Sequence, residues 1–216
     1  MPTIYVGIMT GVSTVYITKA WQRQTSPVLV TWVIFAFATV LALWTALSFG
    51  EALSVNVPNL LDIPVTWGVA AVLVYRRRDI KFFPAEKLDK WLTALCLVAT
   101  VVVFVEWLIS HDHKHANNCI QVIMSVAYIP TWRGLYKADK NPEAYGVWCV
   151  IFIVSALAML MGFLRGQDVA MKYGIRATVC VGGVLLLMVR LDYYLPTFAL
   201  TNGTIPDWLR KKDIGA

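Results

Sequence analysis

Seven apolar runs, each close to the length that crosses a lipid bilayer, constrain this chain more than any other feature. A helix needs about 20 apolar residues to cross a hydrocarbon layer of roughly 30 Å. The chain is 58% hydrophobic and only 15% charged, with a mean hydropathy of +0.63, which argues against a water-soluble protein. The sequence therefore predicts an all-α, polytopic membrane protein with seven transmembrane helices. The predicted spans are residues 4–20, 27–49, 58–75, 90–110, 119–133, 144–165 and 173–191.

The first apolar run is interpreted as a true span and not as a removed signal peptide. It begins within a few residues of Met1, lacks a basic segment before it, and contains no A-x-A-like cleavage site. Short loops and the lack of a targeting segment favour a bacterial inner membrane.

Lysine and arginine are unequally divided between the two sets of loops. Most lie on one set, which includes residues 76–90 and 133–140 and the segment after the last span. Because cytoplasmic loops carry the excess of basic residues, this predicts an outside N-terminus and a cytoplasmic C-terminus. The net charge of +6 is explained by this topology, so we expect the lipid bilayer as a partner and no nucleic acid.

A weak internal repeat relates the two ends of the chain. A shift of about 116 residues places Ser13 to Trp32 over Ile129 to Trp148, and both copies read as an apolar helix, a polar loop and a second helix that opens near a proline. The pattern predicts two parallel three-helix repeats joined by a linker helix. The predicted units are residues 1–76, a basic loop and linker helix at 77–116, a second repeat at 117–194, and a cytoplasmic tail at 195–216.

This arrangement resembles the PQ-loop superfamily, which includes the SWEET sugar transporters, and more distantly the PnuC-like vitamin permeases. The segment that carries the resemblance is the hairpin from Tyr128 to Trp148. Where the family has its namesake dipeptide, this chain has Pro130-Thr131 in the second repeat and Thr14-Val15 in the first. The resemblance implies a permease for a sugar or vitamin-like metabolite, with Pro130 and Thr14 at the hinge positions.

The third span carries a polar stripe. The spacing of Asn59, Asp62 and Thr66 places them on one face of a helix, with Trp67 beside them. Because polar side chains are costly within a bilayer, these four residues are candidates for substrate binding. The alternative is that Asn59 and Asp62 lie at the outer interface, where water reaches them.

A second set of candidates comes from the fifth and first spans. Gln121, Ser125 and Tyr128 share a helix face, and Ser13 lies on the corresponding face of the first span. The family resemblance implies that these helices line a central pathway, so these residues are also candidates for substrate binding. Hydrogen bonding between helices is the alternative.

Two further features allow more than one interpretation. Trp32 and Trp148 occupy equivalent places in the two repeats, either as interfacial anchors or as rings that stack on a substrate. The run His111 to His115 places two histidines on one helix face, as zinc ligands often are, but an exposed turn is the favoured interpretation. We therefore expect no metal and no cofactor.

Taken with the resemblance, these features favour a transporter of a small-molecule substrate over other classes. Ligand sensing or a structural role without transport is the alternative. A membrane-embedded, metal-dependent hydrolase is less favoured because no predicted span contains a histidine within it, and we do not expect an enzyme. The substrate, the energy coupling and assembly into a homo-oligomer are left open by the sequence.

Overall fold

The protein folds into a bundle of α-helices. A computed structural model describes residues 2–22, 29–54, 56–76, 83–84, 86–138, 141–143 and 145–194. The helices are α1 (Pro2–Trp21), α2 (Leu29–Ser48), α3 (Val57–Tyr75), α4 (Lys87–Ser110), α5 (His113–Ala127), α6 (Ile129–Lys137), α7 (Tyr145–Leu164) and α8 (Asp168–Val189), followed by a π-helical turn (Arg190–Tyr194). The expected tail at 195–216 and most of the basic loop, residues 77–82, lie outside the described residues. The described part of the chain contains no β-strand, which confirms the all-α prediction.

Five helical segments are long and apolar enough to cross a membrane: α2, α3, α4, α7, and the segment Asp168–Tyr193 that continues α8. Much of their surface is apolar yet exposed, as expected of helices that face lipid. The protein is therefore an integral membrane protein by composition and fold. That α1 and the α5–α6 segment also cross the membrane stays a prediction.

The fifth predicted span is not one helix, as expected from residues 119–133, but two. The break lies at Tyr128, between α5 and α6, and Pro130 stands at the start of α6. Proline has no backbone N–H, and its ring collides with the carbonyl four residues earlier, so a helix cannot run through it undisturbed. Pro64, in contrast, is tolerated within α3, where it is exposed on the outside of the bundle.

Two groups of helices show the same order of packing. In the first group, α3 packs against both α1 and α2. In the second, α8 packs against α7 on one side and against α5 and α6 on the other. The groups meet where α2 contacts α5 and where α1 and α3 contact α7, while α4 packs on the outside against α2, α5 and α6.

We name the two ends of the bundle by their connections. The basic end contains the end of α1, the start of α2, the end of α6 and the start of α7, and the far end contains the α2–α3, α4–α5 and α7–α8 connections. At the basic end Arg133 of α6 pairs with Glu86 at 3.0 Å and with Asp89 at 2.7 Å. Lys137 also contacts Glu86. These contacts fasten α6 to the start of α4.

At the far end a carboxylate joins the two groups. Glu51, in the α2–α3 connection, accepts hydrogen bonds from the backbone N–H groups of Val169 (2.7 Å) and Ala170 (3.0 Å), and from Asn56 Nδ2 (3.2 Å). The first N–H groups of a helix have no partner within the helix and favour negative charge. Glu51 thus caps α8 from the other helix group.

The helices α7 and α8 approach closely because two glycines lie at their contact. A Cβ atom on Gly174 would lie 2.4 Å from the backbone nitrogen of Met159, and one on Gly162 would lie 2.5 Å from that of Met171. Small residues that let backbones approach are a common means of packing helices in membranes.

Replacing Gly174 with alanine should destabilise the protein. Alanine favours helix by about 1 kcal/mol over glycine, but here the added methyl meets backbone atoms that cannot rotate away, at a cost of about 1–3 kcal/mol. We expect Gly174→Ala to have a lower midpoint of thermal unfolding than the wild type. The midpoint is measured in mild detergent from the tryptophan fluorescence. Gly146→Ala in α7 is the matched control, because nothing lies within 4 Å of a Cβ there. Equal midpoints for the two variants would contradict this account of the α7–α8 contact.

Candidate functional site: a cavity between the two helix groups

A cavity of about 360 Å³ lies between the two helix groups. Side chains from α1, α2 and α3 of one group and from α5, α6, α7 and α8 of the other form its walls. It extends from the middle of the helices, at Thr39, Thr66 and Ser155, to the basic end, at Ala138 and Glu143. Its volume is within the range of small-molecule binding sites in proteins.

Two opposite charges lie at the inner end of the cavity. Asp62 of α3 and Arg176 of α8 both line it. The carboxylate of Asp62 accepts a hydrogen bond from the hydroxyl of Tyr173, and the guanidinium of Arg176 lies 4.9 Å from the centre of the Tyr173 ring. The same tyrosine thus orients both charges, one through its hydroxyl and the other through its ring face.

A chain of amides holds Arg176 in place. Its Nε donates to Gln121 Oε1 at 2.9 Å, and Gln121 Nε2 donates to Asn117 Oδ1 at 3.3 Å. Asn117 Nδ2 then donates to Thr45 Oγ1 at 2.8 Å and to the carbonyl of Ala42 at 3.0 Å. This chain runs from α8 through α5 to α2. It fixes the position of the guanidinium and also links the two helix groups.

One nitrogen of Arg176 has no partner within the described part of the chain. The side chain is only 8% exposed, and its Nη2 atom is buried without a hydrogen bond to any described residue. A buried charged donor that lacks an acceptor costs free energy. The position of Arg176 on the cavity wall allows an acceptor on a bound molecule to meet that need.

A second carboxylate lies at the opposite end of the cavity. Glu143, in the connection between α6 and α7, accepts hydrogen bonds from Trp148 Nε1 (3.1 Å) and the Tyr16 hydroxyl (3.3 Å). Burial raises the pKa of the Glu143 carboxyl above its ordinary value, and the hydrogen bonds from Trp148 and Tyr16 only partly oppose this effect.

Aromatic rings form much of the wall between the two ends. The Tyr16 ring centre lies 5.3 Å from that of Trp32 and 6.2 Å from that of Trp148. Phe35 contacts Tyr128, with 5.1 Å between ring centres. Both tryptophans therefore line the cavity, as the stacking interpretation requires.

The predicted substrate-binding residues fall into four positions relative to the cavity. Asp62, Thr66 and Tyr128 line it. Gln121 does not line the cavity but accepts a hydrogen bond from Arg176, which does. Asn59, Ser125 and Ser13 are buried or half-buried but do not line it, and Trp67 belongs to a different surface.

Trp67 lies on an apolar groove between α2, α3 and α4. This groove has a volume of about 560 Å³ and almost no polar lining. Trp67 is 43% exposed there and packs against Phe37, with 5.4 Å between ring centres. A groove of this kind on the outside of apolar helices suits lipid chains better than a polar solute.

The two predicted hinge residues differ in their surroundings. Pro130 is buried, lines the cavity and follows the break at Tyr128. Thr14 is exposed within the continuous helix α1, where its hydroxyl donates to the carbonyl of Thr10 at 2.8 Å. Only the second group therefore has an interrupted helix at this position.

Sequence reasoning did not select Arg176, Tyr173 or Glu143. Arg176 lies near the start of the last predicted span, 173–191, where a charge is typical of a span end, whereas α8 begins at Asp168 and places it inside the helix. A signal was present, because Tyr173 and Arg176 are three residues apart and so share a helix face. Glu143 could have been suspected from its position between a proline and an apolar run.

The histidine run at 111–115 covers the turn from α4 into α5, which begins at His113. Asp112 Oδ1 caps this helix by accepting from the backbone N–H of His115 at 2.9 Å, and Trp107 Nε1 donates to His113 Nδ1 at 2.8 Å. His115 Nε2 lies 3.4 Å from Glu106 Oε1. Among the described residues, no group of three His, Cys, Asp or Glu side chains is arranged to hold a metal ion.

The chain matches no protein-family model, no curated protein and no solved structure. The resemblance to the PQ-loop superfamily therefore stays an expectation.

The raised pKa of Glu143 predicts a dependence of stability on pH. The unfolded chain ionises this group near 4.5, and the folded protein ionises it only at higher pH, so the folded state binds the proton more tightly. Relative to Glu143→Gln, the wild type should lose stability as the pH rises from about 4.5 through the folded-state pKa. Thermal unfolding of both proteins in detergent between pH 4 and 8 measures this difference.

Glu86→Gln is a control of opposite sign at the same end of the bundle. Lys137 and Arg133 hold the pKa of Glu86 below its ordinary value, so its contribution is present above 4.5 and is lost as the pH falls. A constant difference between the wild type and Glu143→Gln across the whole range would contradict the account of Glu143.

Proposed function

We propose that this protein is a membrane transporter that moves a small polar metabolite by alternating access between two three-helix units. The observation that carries the proposal is the pair Asp62 and Arg176 at the inner end of a cavity whose walls come from both helix groups. Ionisable side chains within a membrane bundle are costly, and where they face a cavity they commonly mark the path of a substrate or ion.

The arrangement of the helices supports two parallel repeats joined by a linker. In both groups the third helix packs against the first and the second, and α4 lies outside, as a linker helix would. With α1 and the α5–α6 segment as further spans, the chain crosses the membrane seven times. The break at Tyr128 gives the second unit a site at which α6 can change its angle to α5.

The asymmetry of the cavity supports a one-sided opening. The cavity reaches the basic end, where Tyr16 of the first group donates to Glu143, while Tyr173 with Asp62, and Glu51 with the start of α8, connect the two groups towards the far end. Under the positive-inside rule the basic end is cytoplasmic. We infer that the protein is in an inward-facing state, in a bacterial inner membrane, which the short loops favour.

Uptake by liposomes tests this function. Purified protein in liposomes should exchange at least one solute from a mixture of hexoses, nucleosides, vitamins and amino acids. Mass spectrometry of the liposome contents identifies the solute that has entered. Arg176→Gln and Asp62→Asn should each reduce exchange at least about tenfold, because each removes one of the two charges that line the inner end of the cavity.

Arg165→Gln is the matched control, because Arg165 is an exposed arginine of the α7–α8 connection that donates to Ser54. Its exchange should equal that of the wild type. Undiminished exchange in both cavity variants would contradict the site, and binding of a solute without any exchange would favour ligand sensing over transport.

A further inference from the structure

The charges and the walls of the cavity point to a class of substrate. We propose that the cavity binds a small zwitterion of the amino-acid type with an aromatic or apolar body, whose carboxylate contacts Arg176 and whose ammonium group contacts Asp62. This inference rests on the proposed transport function and names the substrate class of the same site.

The charged groups of Asp62 and Arg176 are not paired with each other. Asp62 Oδ2 accepts from Tyr173, and Arg176 donates from Nε to Gln121. No direct salt bridge joins Asp62 to Arg176, although both are described and both line the cavity. Asp62 and Arg176 both contact Tyr173, but they form no salt bridge with each other. Such an arrangement of opposite charges suits a ligand that carries both a positive and a negative group.

Arg176 is the partner for the carboxylate of the ligand. A guanidinium presents a planar set of donors that suits the two oxygens of a carboxylate. In Arg176 the buried Nη2 atom has no acceptor among the described residues, while Nε is already engaged. A carboxylate of the ligand beside Arg176 neutralises a charge that the bundle otherwise buries, and it offers Nη2 an acceptor once the guanidinium turns towards the cavity.

Asp62 is the partner for the ammonium group of the ligand. Asp62 lies on the same cavity wall and accepts one hydrogen bond from Tyr173 through Oδ2. In an α-amino acid the ammonium and carboxylate groups are attached to the same carbon, so one end of the ligand can reach both of the charged side chains that contact Tyr173. A ligand with a single charge would leave either Asp62 or Arg176 uncompensated.

The cavity walls favour a ligand with an apolar body over a sugar. Trp32, Phe35, Tyr128 and Trp148 form the walls towards the basic end. The hydroxyls of Thr39 and Thr66 are already bonded to each other at 3.2 Å. A sugar would need many polar partners along its length, whereas these walls favour burial of a ring or an alkyl group.

Three small molecules that differ by one charged group test this proposal. L-phenylalanine carries both charges, 3-phenylpropionate lacks the ammonium group, and phenethylamine lacks the carboxylate. Titration of purified protein in detergent by calorimetry should show the tightest binding for phenylalanine, with each analogue at least about tenfold weaker, because each leaves one buried charge unpaired. Equal or tighter binding of either analogue would overturn the proposal.

The variants must separate the two contacts. Arg176→Gln should weaken the binding of phenylalanine at least about tenfold and leave the binding of phenethylamine unchanged or stronger. Asp62→Asn should also weaken the binding of phenylalanine at least about tenfold, but it should leave the binding of 3-phenylpropionate unchanged. Arg165→Gln and Asp168→Asn, which change charges at the far end that do not line the cavity, should bind all three as the wild type does. Loss of binding for all three probes alike in Arg176→Gln, with size-exclusion elution and thermal unfolding unchanged, would contradict a carboxylate contact.

The two proposals fail in different ways. Exchange of glucose or a nucleoside in liposomes, with no binding of phenylalanine, overturns the zwitterion proposal and retains the transporter. Charge-selective binding of phenylalanine without any exchange retains the zwitterion site and overturns transport.

Discussion

The buried guanidinium of Arg176 is the group on which the arrangement of the other helices depends. Moving an unpaired charge from water into an apolar bundle costs several kcal/mol even after the surroundings relax. The protein partly offsets this cost with a hydrogen bond to Gln121 of α5 and with the ring face of Tyr173, whose hydroxyl in turn donates to Asp62 of α3. Because these contacts involve α5, α8 and α3, the three helices must keep their relative register for the charge to be tolerated. The amide chain through Asn117 then carries this requirement to α2.

Packing differs within and between the two helix groups, and this difference suits the proposed motion. Within the second group, Gly162 and Gly174 bring the backbones of α7 and α8 so close that little sliding is possible. Between the groups, several contacts are polar: Glu51 with the start of α8, Asp62 with Tyr173, and Asn117 with Thr45. Polar contacts towards the far end can be exchanged for water without leaving a void, whereas close apolar packing cannot. Apart from the hydrogen bonds of Asn117, the contact between α2 and α5 is apolar and buried, so alternating access would require the polar contacts towards the far end to exchange while the groups turn about this packed contact.

The sequence predicted the class of fold well and the site only in part. The helical membrane architecture followed from the length of the apolar runs, because that length is set by the thickness of the bilayer. The stripe on α3 led to Asp62 and Thr66, since helix periodicity relates spacing to a shared face. Trp67, which the sequence analysis also named as a candidate, is adjacent to Thr66 in sequence but lies on another face, on the apolar groove between α2, α3 and α4. Arg176 was overlooked because a charge near the start of an apolar run looks like a loop residue, and only the packing of α8 shows that it is inside. The break at Tyr128 follows from Pro130, although Pro64 shows that proline alone does not decide whether a helix is interrupted.

The accessibility of a single cysteine at Ser155 tests the central claim most directly. Ser155 is 4% exposed and lies at the middle of α7, on the cavity wall. In a protein whose native cysteines are replaced by alanine, Ser155→Cys would be treated with a membrane-impermeant maleimide from each face of oriented vesicles. A cavity that opens alternately to the two sides predicts modification from both faces, faster from the basic end. Modification from the basic end alone would contradict alternating access and identify a pocket that never opens to the far side.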